Sequence, residues 1–478
     1  MPVPDCLLEA MRYDLDARGE LIRDFVCERT AAQGPVTSPQ HIVATYVVAS
    51  RAHRVEEVGA EISYLMTSGA RNPAPGTLLA ECTGEVLAAD AWDNTGRMGL
   101  VWVGFPVKMM QQADGKVYTT DMLHLMAGEG AFGLTDHSDT QLAHLEIPPA
   151  VLDTFPGPAY GAEGVRIVTA FPPGVPMFGT ILKPTSGLTP QEVGALVSEL
   201  AGNPLFGFGK EDENLNPGAP FCPLPERARE AVAAIRARAA ERQGRGLLFA
   251  PHLTAPPDLL MRHLEAALQA GVNAVMFSDQ IAGGTTRMVR EATANLPAPP
   301  AIYAHNSGIS TRTRAVWREV LDLLVRLDGA DFRQTAPVNP GASLLRPYGR
   351  EWLNCERELT RPLGAIKPVM IARAGGLDQG NIILNLRDAA ARGYGDGVLF
   401  LAGSAINGLK DSAGRASTAL GSAAMLEALE AYTSGAVTGE DQAQHLRELH
   451  GHALAQRKRA LQTALEQRYP QLQAGEHG

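Results

Sequence analysis

The sequence predicts a two-domain α/β protein: a C-terminal (β/α)8 (TIM) barrel and a smaller N-terminal α+β (ferredoxin-like) domain. From about residue 174, short apolar, β-branched runs alternate with amphipathic segments, a rhythm typical of βαβ units and a parallel sheet. Eight such units follow one another. A closed barrel accounts for eight equal units better than an open doubly wound sheet does.

Each unit of the predicted barrel begins with a strand-like run followed by a helix-like segment. The helices are clearest after the first, second and fifth runs, at 189–202, 225–244 and 314–329. The eight runs are MFGTILKP (177–184), LFGFGKEDE (205–213), GLLFAPHLT (246–254), NAVMFSDQ (273–280), AIYAHNSG (301–308), DFRQTAP (331–337), KPVMIARAGG (367–376) and GVLFLAGSA (397–405).

The first part of the chain lacks this rhythm. It mixes strands at 41–50 and 99–107 with helices near 56–66 and 117–127. The proline- and glycine-rich stretch 145–161 is typical of a linker. We therefore predict an N-terminal domain, a barrel that carries the site and a C-terminal helical extension, with the bounds 1–155, 156–430 and 431–478.

Composition restricts the classes of partner. The 478 residues carry a net charge of −10, and no basic run offers a surface for nucleic acid or an anionic membrane. The 5 cysteines are scattered, without the spacing of a disulfide framework or a zinc site. The sequence shows neither a signal peptide nor a membrane span. We therefore expect a cytoplasmic protein that acts on small solutes.

The run GFGKEDEN places four charges at the predicted end of the second barrel strand, where the barrel opens. Lys210 and Asp212 point the same way along an extended strand, and the turn brings in Glu213. Oxygen ligands of this kind suit Mg²⁺. A neutral lysine amine can also add carbon dioxide, and the resulting carbamate on Lys210 supplies a third anionic oxygen. The alternative is a solvated charged turn.

Lys183 ends the first barrel strand and precedes a proline. A lysine at the carboxyl end of a barrel strand, next to a metal, has a lowered pKa and can act as a general base. Taken alone, it could equally be an ordinary surface lysine.

Three segments carry a resemblance to a known family. GTILKPTSGL is similar to the GT-(I/V)-(I/V)-KP-x-x-GL of the ribulose bisphosphate carboxylase/oxygenase (RuBisCO) large chain, FGKEDEN resembles its (F)TKDDEN, and LEIPPAVLDTFPGPAYG resembles its linker LRIPPAYVKTFQGPPHG. The likeness extends from about residue 40 to about 430. It implies that Lys183 forms an enediolate, that Lys210 is carbamylated and that Asp212 and Glu213 complete a Mg²⁺ site.

The resemblance carries over to further positions one at a time. His305 matches an active-site histidine, although a histidine in a barrel mouth can also be merely structural. Four positions match glycine loops whose backbone N–H groups bind a phosphate: Gly375, Gly376, Ala402 and Gly403. In the N-terminal domain, Thr77 resembles a phosphate-contacting threonine. Glu61 and Glu129 are candidate contributions to the site of a partner subunit.

Several departures from the family pattern limit the activity. Carboxylases use a lysine in the loop after the sixth strand, whereas residues 335–348 contain none. Losing one such stabilising group can cost roughly 100- to 1,000-fold in rate, so we predict no carbon dioxide fixation. Glu129 stands for an asparagine. Groups that hold the second phosphate or lie near it are also replaced, by Thr185, Asn306, Gln334 and Ala374. We therefore expect a substrate with one phosphate.

The resemblance thus implies a RuBisCO-like, Mg²⁺-dependent lyase or isomerase. Its reaction would form an enediolate from a monophosphorylated keto sugar or keto sugar acid, by decarboxylation (for example of an oxo-isoapionate phosphate) or by enolisation. Three alternatives stay open: an enolase of methionine salvage, a retained carboxylase, and a catalytically silent metal-binding relative. The family also implies a homodimer or an assembly of dimers.

Overall fold

The computed structural model describes residues 19–128, 138–313, 315–339 and 350–473. They form two compact units. The first contains residues up to 157 together with 308–329 and 349–367. The second contains 158–307, 330–348 and 368–478. Within the described ranges, no helix is long and apolar enough to cross a bilayer.

The first unit is built on a four-stranded antiparallel sheet with the order β2-β3-β1-β4. A main helix and a short one, Val55–Leu65 and Leu78–Glu81, lie between β1 and β2, and helix Thr119–Met126 lies between β3 and β4, consistent with the predicted ferredoxin-like arrangement. The strands are β1 (His41–Ser50), β2 (Glu85–Ala91), β3 (Met98–Pro106) and β4 (Ser138–Glu146). Its α-helices are Gly19–Gln33, Val55–Leu65, Leu78–Glu81, Thr119–Met126, Pro149–Leu152, Arg318–Leu327 and Arg350–Thr360.

The second unit is an eight-stranded parallel barrel, so the predicted fold class is confirmed. Each of the eight predicted runs contains one strand: β5 (Met177–Ile181), β6 (Phe206–Lys210), β7 (Leu248–Ala250), β8 (Ala274–Ser278), β9 (Ala301–His305), β10 (Phe332–Thr335), β11 (Met370–Ala374) and β12 (Val398–Ala402). The order is β7-β6-β5-β12-β11-β10-β9-β8, and a bridge between His252 and Met276 brings β7 to β8.

The helices of the second unit follow the strands, except Gly161–Val168, which precedes β5. They are Gly161–Val168, Pro190–Ala201, Leu224–Ala237, Pro257–Ala270, Thr285–Thr293, Ile382–Ala391, Ser404–Asn407, Thr418–Thr433, Gln442–Ala455 and Arg459–Arg468. The helix after β5 starts with a capping box, in which Thr189 and Glu192 satisfy each other's backbone N–H groups. The helices that follow β9 and β10 belong to the first unit instead. Helix Thr418–Thr433 runs across residue 430, and the predicted C-terminal extension lies in the same unit as the barrel.

Buried apolar side chains fill the barrel interior. Phe208, Tyr303 and Phe332 meet in its centre, with Phe208 and Tyr303 stacked at 5.4 Å between ring centroids. The strands approach closely where side chains are small. A Cβ atom at Gly179 would lie 2.9 Å from the carbonyl oxygen of Phe208. The interior is therefore a packed core, and room for a ligand lies at the strand ends.

Candidate active site

Two lysines and two carboxylates meet at the carboxyl ends of β5 and β6. These strands are parallel, with Ile181 opposite Lys210. Lys183 and Asp212 each lie two residues further on, just past their strands. The Lys183 ammonium donates a hydrogen bond to the Asp212 carboxylate, and its Nζ lies 3.1 Å from Thr185 Oγ1. The predicted base and a predicted metal ligand are thus in direct contact.

Lys210 is fully buried at the end of β6. Its Nζ lies 3.6 Å from Glu213 Oε2 and 5.5 Å from the centre of the Tyr303 ring. Burial lowers the pKa of Lys210 to about 8, against the opposing attraction of Glu213 and Asp212. A larger fraction of this amine is neutral near pH 7 than is usual for lysine. The neutral amine is the form that adds carbon dioxide.

His305 ends β9 and faces the same carboxylate. Its Nε2 lies 3.4 Å from Glu213 Oε2, and its Nδ1 accepts a hydrogen bond from Ser307 N at 3.0 Å. Burial lowers the pKa of His305 well below its ordinary value, and the positive charge of Lys210 adds to this. A neutral imidazole that accepts at Nδ1 carries its proton on Nε2, which faces Glu213.

The oxygen atoms around Lys210 fit a magnesium ion when Lys210 carries a carbamate. Asp212 and Glu213 supply oxygens at the mouth, and Asn214 orients Asp212 by donating to its Oδ1 from its side-chain Nδ2 at 2.9 Å. Among the described residues, no three His, Cys, Asp or Glu side chains form a ready metal cluster. A carbamate on Lys210 would supply a further anionic oxygen beside these two carboxylates. With it, the ligands are the hard oxygens that Mg²⁺ prefers.

The predicted phosphate-binding positions lie at the ends of β11 and β12. Gly375 and Gly376 have φ angles of 89° and 95°, a backbone conformation that favours glycine. The Asn381 side chain donates to the carbonyl oxygen of Gly376 at 2.7 Å and fixes this loop. Ala402 is the last residue of β12, and Gly403 directly precedes helix Ser404–Asn407.

Two neutral amides occupy the ends of β9 and β10. The buried Tyr303 hydroxyl donates to Gln334 Oε1 at 2.8 Å, and Asn306 Nδ2 donates to the backbone oxygen of Gln334 at 3.4 Å. Both side chains are partly accessible. This part of the mouth therefore offers amide groups where the family pattern has an arginine and a histidine.

The predicted site residues of the first unit have local partners. Glu61 pairs with Arg71 at 2.5 Å. Thr77 begins helix Leu78–Glu81, and its hydroxyl accepts from Ala80 N at 3.2 Å. Glu129 and the loop at 340–349 lie outside the described residues. The roles of Thr77, Glu61 and Glu129 in phosphate binding or a partner's site stay predictions.

Asn407 is a buried residue of the mouth that sequence reasoning missed. Its Nδ2 donates to Thr180 Oγ1 and to the carbonyl oxygen of Ile181, both at 2.8 Å. The Thr180 hydroxyl in turn donates to the carbonyl oxygen of Ala402 at 2.7 Å. Asn407 and Thr180 thus link the end of β5, which precedes Lys183, to the predicted phosphate loop after β12. The sequence feature that could have indicated this residue is a single asparagine inside the mainly apolar stretch FLAGSAING (400–408).

Comparison with known sequences decides the family. The family model of the ribulose bisphosphate carboxylase large chain, catalytic domain, matches residues 171–467, more than half of the chain. The chain belongs to this family. The match covers Lys183, Lys210 and His305, and both glycine loops.

Named relatives in this family cover part of the chain. A 3-oxo-isoapionate-4-phosphate transcarboxylase/hydrolase of Xanthobacter autotrophicus is 34% identical over 39% of this chain and 43% of its own length. A 3-oxo-isoapionate-4-phosphate decarboxylase of Rhizobium etli is 30% identical over 54% of this chain and 63% of its own length. The chain therefore spans less than two thirds of the length of either relative.

Solved structures share the fold. A rubisco-like protein (MtnW) from Alicyclobacillus acidocaldarius superposes with a TM-score of 0.72 at 23% identity, covering 90% of this chain and 99% of that one. At this identity the likeness concerns the architecture alone.

Proposed function

We propose that this RuBisCO-like chain is a Mg²⁺-dependent enzyme that removes carbon dioxide from a monophosphorylated keto sugar acid and thereby forms an enediolate. A 3-oxo-isoapionate 4-phosphate is the proposed substrate. The observation that carries the proposal is the contact of Lys183 with Asp212 beside the buried Lys210. The names of the relatives that are 30% and 34% identical support the substrate class.

Asp212, Glu213 and a carbamate on Lys210 would hold the magnesium ion. The carbamate forms when the neutral Lys210 amine adds carbon dioxide and releases one proton. Burial of the Lys210 side chain favours this step because it lowers the pKa of the amine. Bound Mg²⁺ would polarise the substrate carbonyl and stabilise negative charge on its oxygen.

Lys183 would move the proton. In decarboxylation, the bond between the carboxylate carbon and its neighbour breaks, and the electron pair of that bond enters the enediolate as carbon dioxide leaves. The Lys183 ammonium then donates a proton to that neighbouring carbon, and solvent restores the lysine. In enolisation the neutral amine would remove a proton from the same kind of carbon. One residue therefore serves both reactions, and His305 is the next candidate base.

The rest of the mouth would bind the ends of the substrate. The backbone N–H groups around Gly375, Gly376 and Gly403 would hold its phosphate. The amides of Asn306 and Gln334 would contact the other end, which carries no second phosphate. We further propose that the active unit is a homodimer, in which residues of the first unit complete the site of the partner.

A substrate screen tests this proposal. The full chain is incubated with Mg²⁺, bicarbonate and a set of keto sugar acid and ketose monophosphates, and carbon dioxide release and carbon–hydrogen exchange in deuterated water are measured. We expect release from 3-oxo-isoapionate 4-phosphate. Exchange without release, on a diketo-methylthiopentyl phosphate, would favour the enolase. Mg²⁺ binding without exchange or release on any of these substrates would identify a catalytically silent relative.

The carboxylase alternative is tested with ribulose bisphosphate and labelled bicarbonate. We expect no fixation, because residues 335–348 contain no lysine to stabilise the new carboxylate. Measurable fixation of label would contradict this interpretation of the loop.

A further inference from the structure

Glu211 stands between the candidate ligands in the sequence but faces away from them. Its carboxylate accepts two hydrogen bonds from the buried guanidinium of Arg227, from Nε at 2.7 Å and from Nη2 at 3.0 Å. It also accepts from the backbone N–H of His252 at 2.9 Å. Glu211 is 1% exposed and Arg227 is fully buried. A bidentate buried pair therefore lies directly behind the mouth.

The same groups hold the loop that follows the metal residues. Arg227 Nη1 donates to the carbonyl oxygen of Cys222 at 2.5 Å. His252 Nδ1 donates to the carbonyl oxygen of Leu215 at 2.8 Å, and its Nε2 lies 2.6 Å from the Thr254 hydroxyl. The loop is thus fixed near its beginning by Leu215 and near its end by Cys222.

Asp212 and Glu213 themselves lie beyond the sheet. Strand β6 ends at Lys210, and the bond from Glu211 N to the carbonyl oxygen of Ala250, at 3.1 Å, continues the strand pairing one residue further. Beyond that point the chain leaves the sheet: Leu215 N donates to the carbonyl oxygen of Asp212 at 3.1 Å, and the contacts of the following loop set the direction of the two carboxylates. Burying a charged pair is costly, and an apolar pair would pack as well. A charged pair at this point therefore calls for a role besides packing.

We propose that Glu211, Arg227 and His252 form a positioning device that sets the distance from Asp212 and Glu213 to Lys210 and so controls affinity for the divalent cation. This inference rests on the proposed function, because it requires that these residues bind a metal. Glu211 and Arg227 are positioning residues and not ligands. Groups that orient metal ligands typically contribute about 10- to 100-fold in affinity.

The test uses Mn²⁺ as the probe, with the full chain in bicarbonate, and follows free and bound Mn²⁺ by electron paramagnetic resonance. Glu211→Gln should weaken binding by about 10- to 100-fold and broaden the signal of the bound ion. Asp331→Asn is the matched control, because Asp331 also forms a buried pair, with Arg290, but precedes β10 at the opposite end of the barrel. It should lower the thermal midpoint and leave Mn²⁺ affinity unchanged.

Arg227→Lys provides a milder variant if Glu211→Gln does not fold. It keeps the charge but loses the two parallel hydrogen bonds, so affinity should fall several-fold in protein whose circular dichroism is native. Full Mn²⁺ affinity in either folded variant would overturn the positioning role. A wild-type chain that binds no Mn²⁺ would instead refute the proposed function, so the two failures are distinguishable.

Discussion

The two ends of the barrel use buried charge differently. Next to the amino end of β10, the Asp331 carboxylate accepts from the backbone N–H groups of Tyr160 at 2.7 Å and Ile302 at 2.9 Å, and it pairs with Arg290. At the carboxyl end, the side chains of Glu213 and Lys183 keep 28% and 32% of their surface exposed. The charges at the amino end are engaged within the fold, whereas at the mouth Glu213 and Lys183 stay accessible to a ligand in front of the buried Glu211–Arg227 pair.

Arg242 illustrates the amino end further. Its guanidinium donates to the carbonyl oxygens of Phe206 at 2.6 Å, Gly246 at 2.7 Å and Ala201 at 3.1 Å, at the starts of β6 and β7. Burial lowers the pKa of Arg242 to about 10, so the group stays charged at neutral pH. Satisfied groups of this kind contribute stability but offer no free atom to a substrate.

The largest expected effect is on activity, at the mouth. Lys183→Ala should lower turnover of the substrate and solvent proton exchange by at least about 100- to 10,000-fold, because the proton-transfer group is lost. Mg²⁺ binding and the thermal midpoint should remain. Lys458→Ala is the matched control, since Lys458 pairs with Glu430 on the surface. Undiminished exchange in Lys183→Ala would move the base to His305.

The largest expected effect on stability lies at the other end. Asp331→Ala leaves the Arg290 guanidinium buried without its carboxylate, and we expect a loss of about 3–5 kcal/mol in the free energy of unfolding. Denaturant titration measures this loss. Turnover per folded molecule should be unchanged. A loss of turnover without a loss of stability would contradict the purely structural role of the charges at the amino end of the barrel.

Metal affinity should respond to Asp212→Asn. The change is nearly isosteric but removes an anionic oxygen, so Mg²⁺ affinity should fall by at least about 10- to 100-fold, and activity with it. Isothermal titration calorimetry measures the affinity. The protein should stay folded, because Asp212 is replaced by a side chain of the same shape. Unfolding would show that Asp212 serves the fold instead.

The smallest expected effect concerns pH and a group of the C-terminal helices. Burial, together with the positive charge of Arg387, lowers the pKa of His445 to about 4. Protonation therefore favours the unfolded chain. This part of the stability is present above about pH 6.5 and is lost as the pH falls toward 4. At pH 5 the thermal midpoint of the wild type should fall on the order of 2–4 °C further than that of His445→Gln. Equal shifts in both proteins would contradict this assignment.

Sequence reasoning located what is encoded locally. All eight barrel strands were predicted. Most are apolar runs buried on both faces, whereas β10 (Phe332–Thr335) consists of Phe, Arg, Gln and Thr and is indicated only by the βα alternation around it. It missed β2 (Glu85–Ala91), which is alanine-rich and only partly buried. It also missed β4 (Ser138–Glu146), in which apolar and polar residues are mixed. Their strand state depends on pairing with β3 and β1, which lie elsewhere in the chain.

The residues of the candidate site fall into the same two groups, those that stand in short motifs and those whose partners lie far away in the chain. Lys183, Lys210, Asp212 and Glu213 stand in short motifs and could be assigned from their chemistry. The partners of Glu211 and Asn407 are 16 and 227 residues away in Arg227 and Thr180. A short sequence motif does not reveal pairs that are this far apart. The signal for Glu211 went unused: strand alternation puts it on the face opposite to that of Lys210, and a buried carboxylate there requires a cation.

The closure of the barrel has a consequence for how the chain tolerates changes in length. Strand β7 ends at Ala250, but the ring closes beyond it, where Leu253 N donates to the carbonyl oxygen of Met276 at 2.8 Å and Met276 N donates to that of Pro251 at 3.0 Å. Barrel loops usually accept insertions. A single residue added between Pro251 and Leu253 would shift this pairing and carry His252 away from Glu211. The ring and the support of the metal loop would then be lost together.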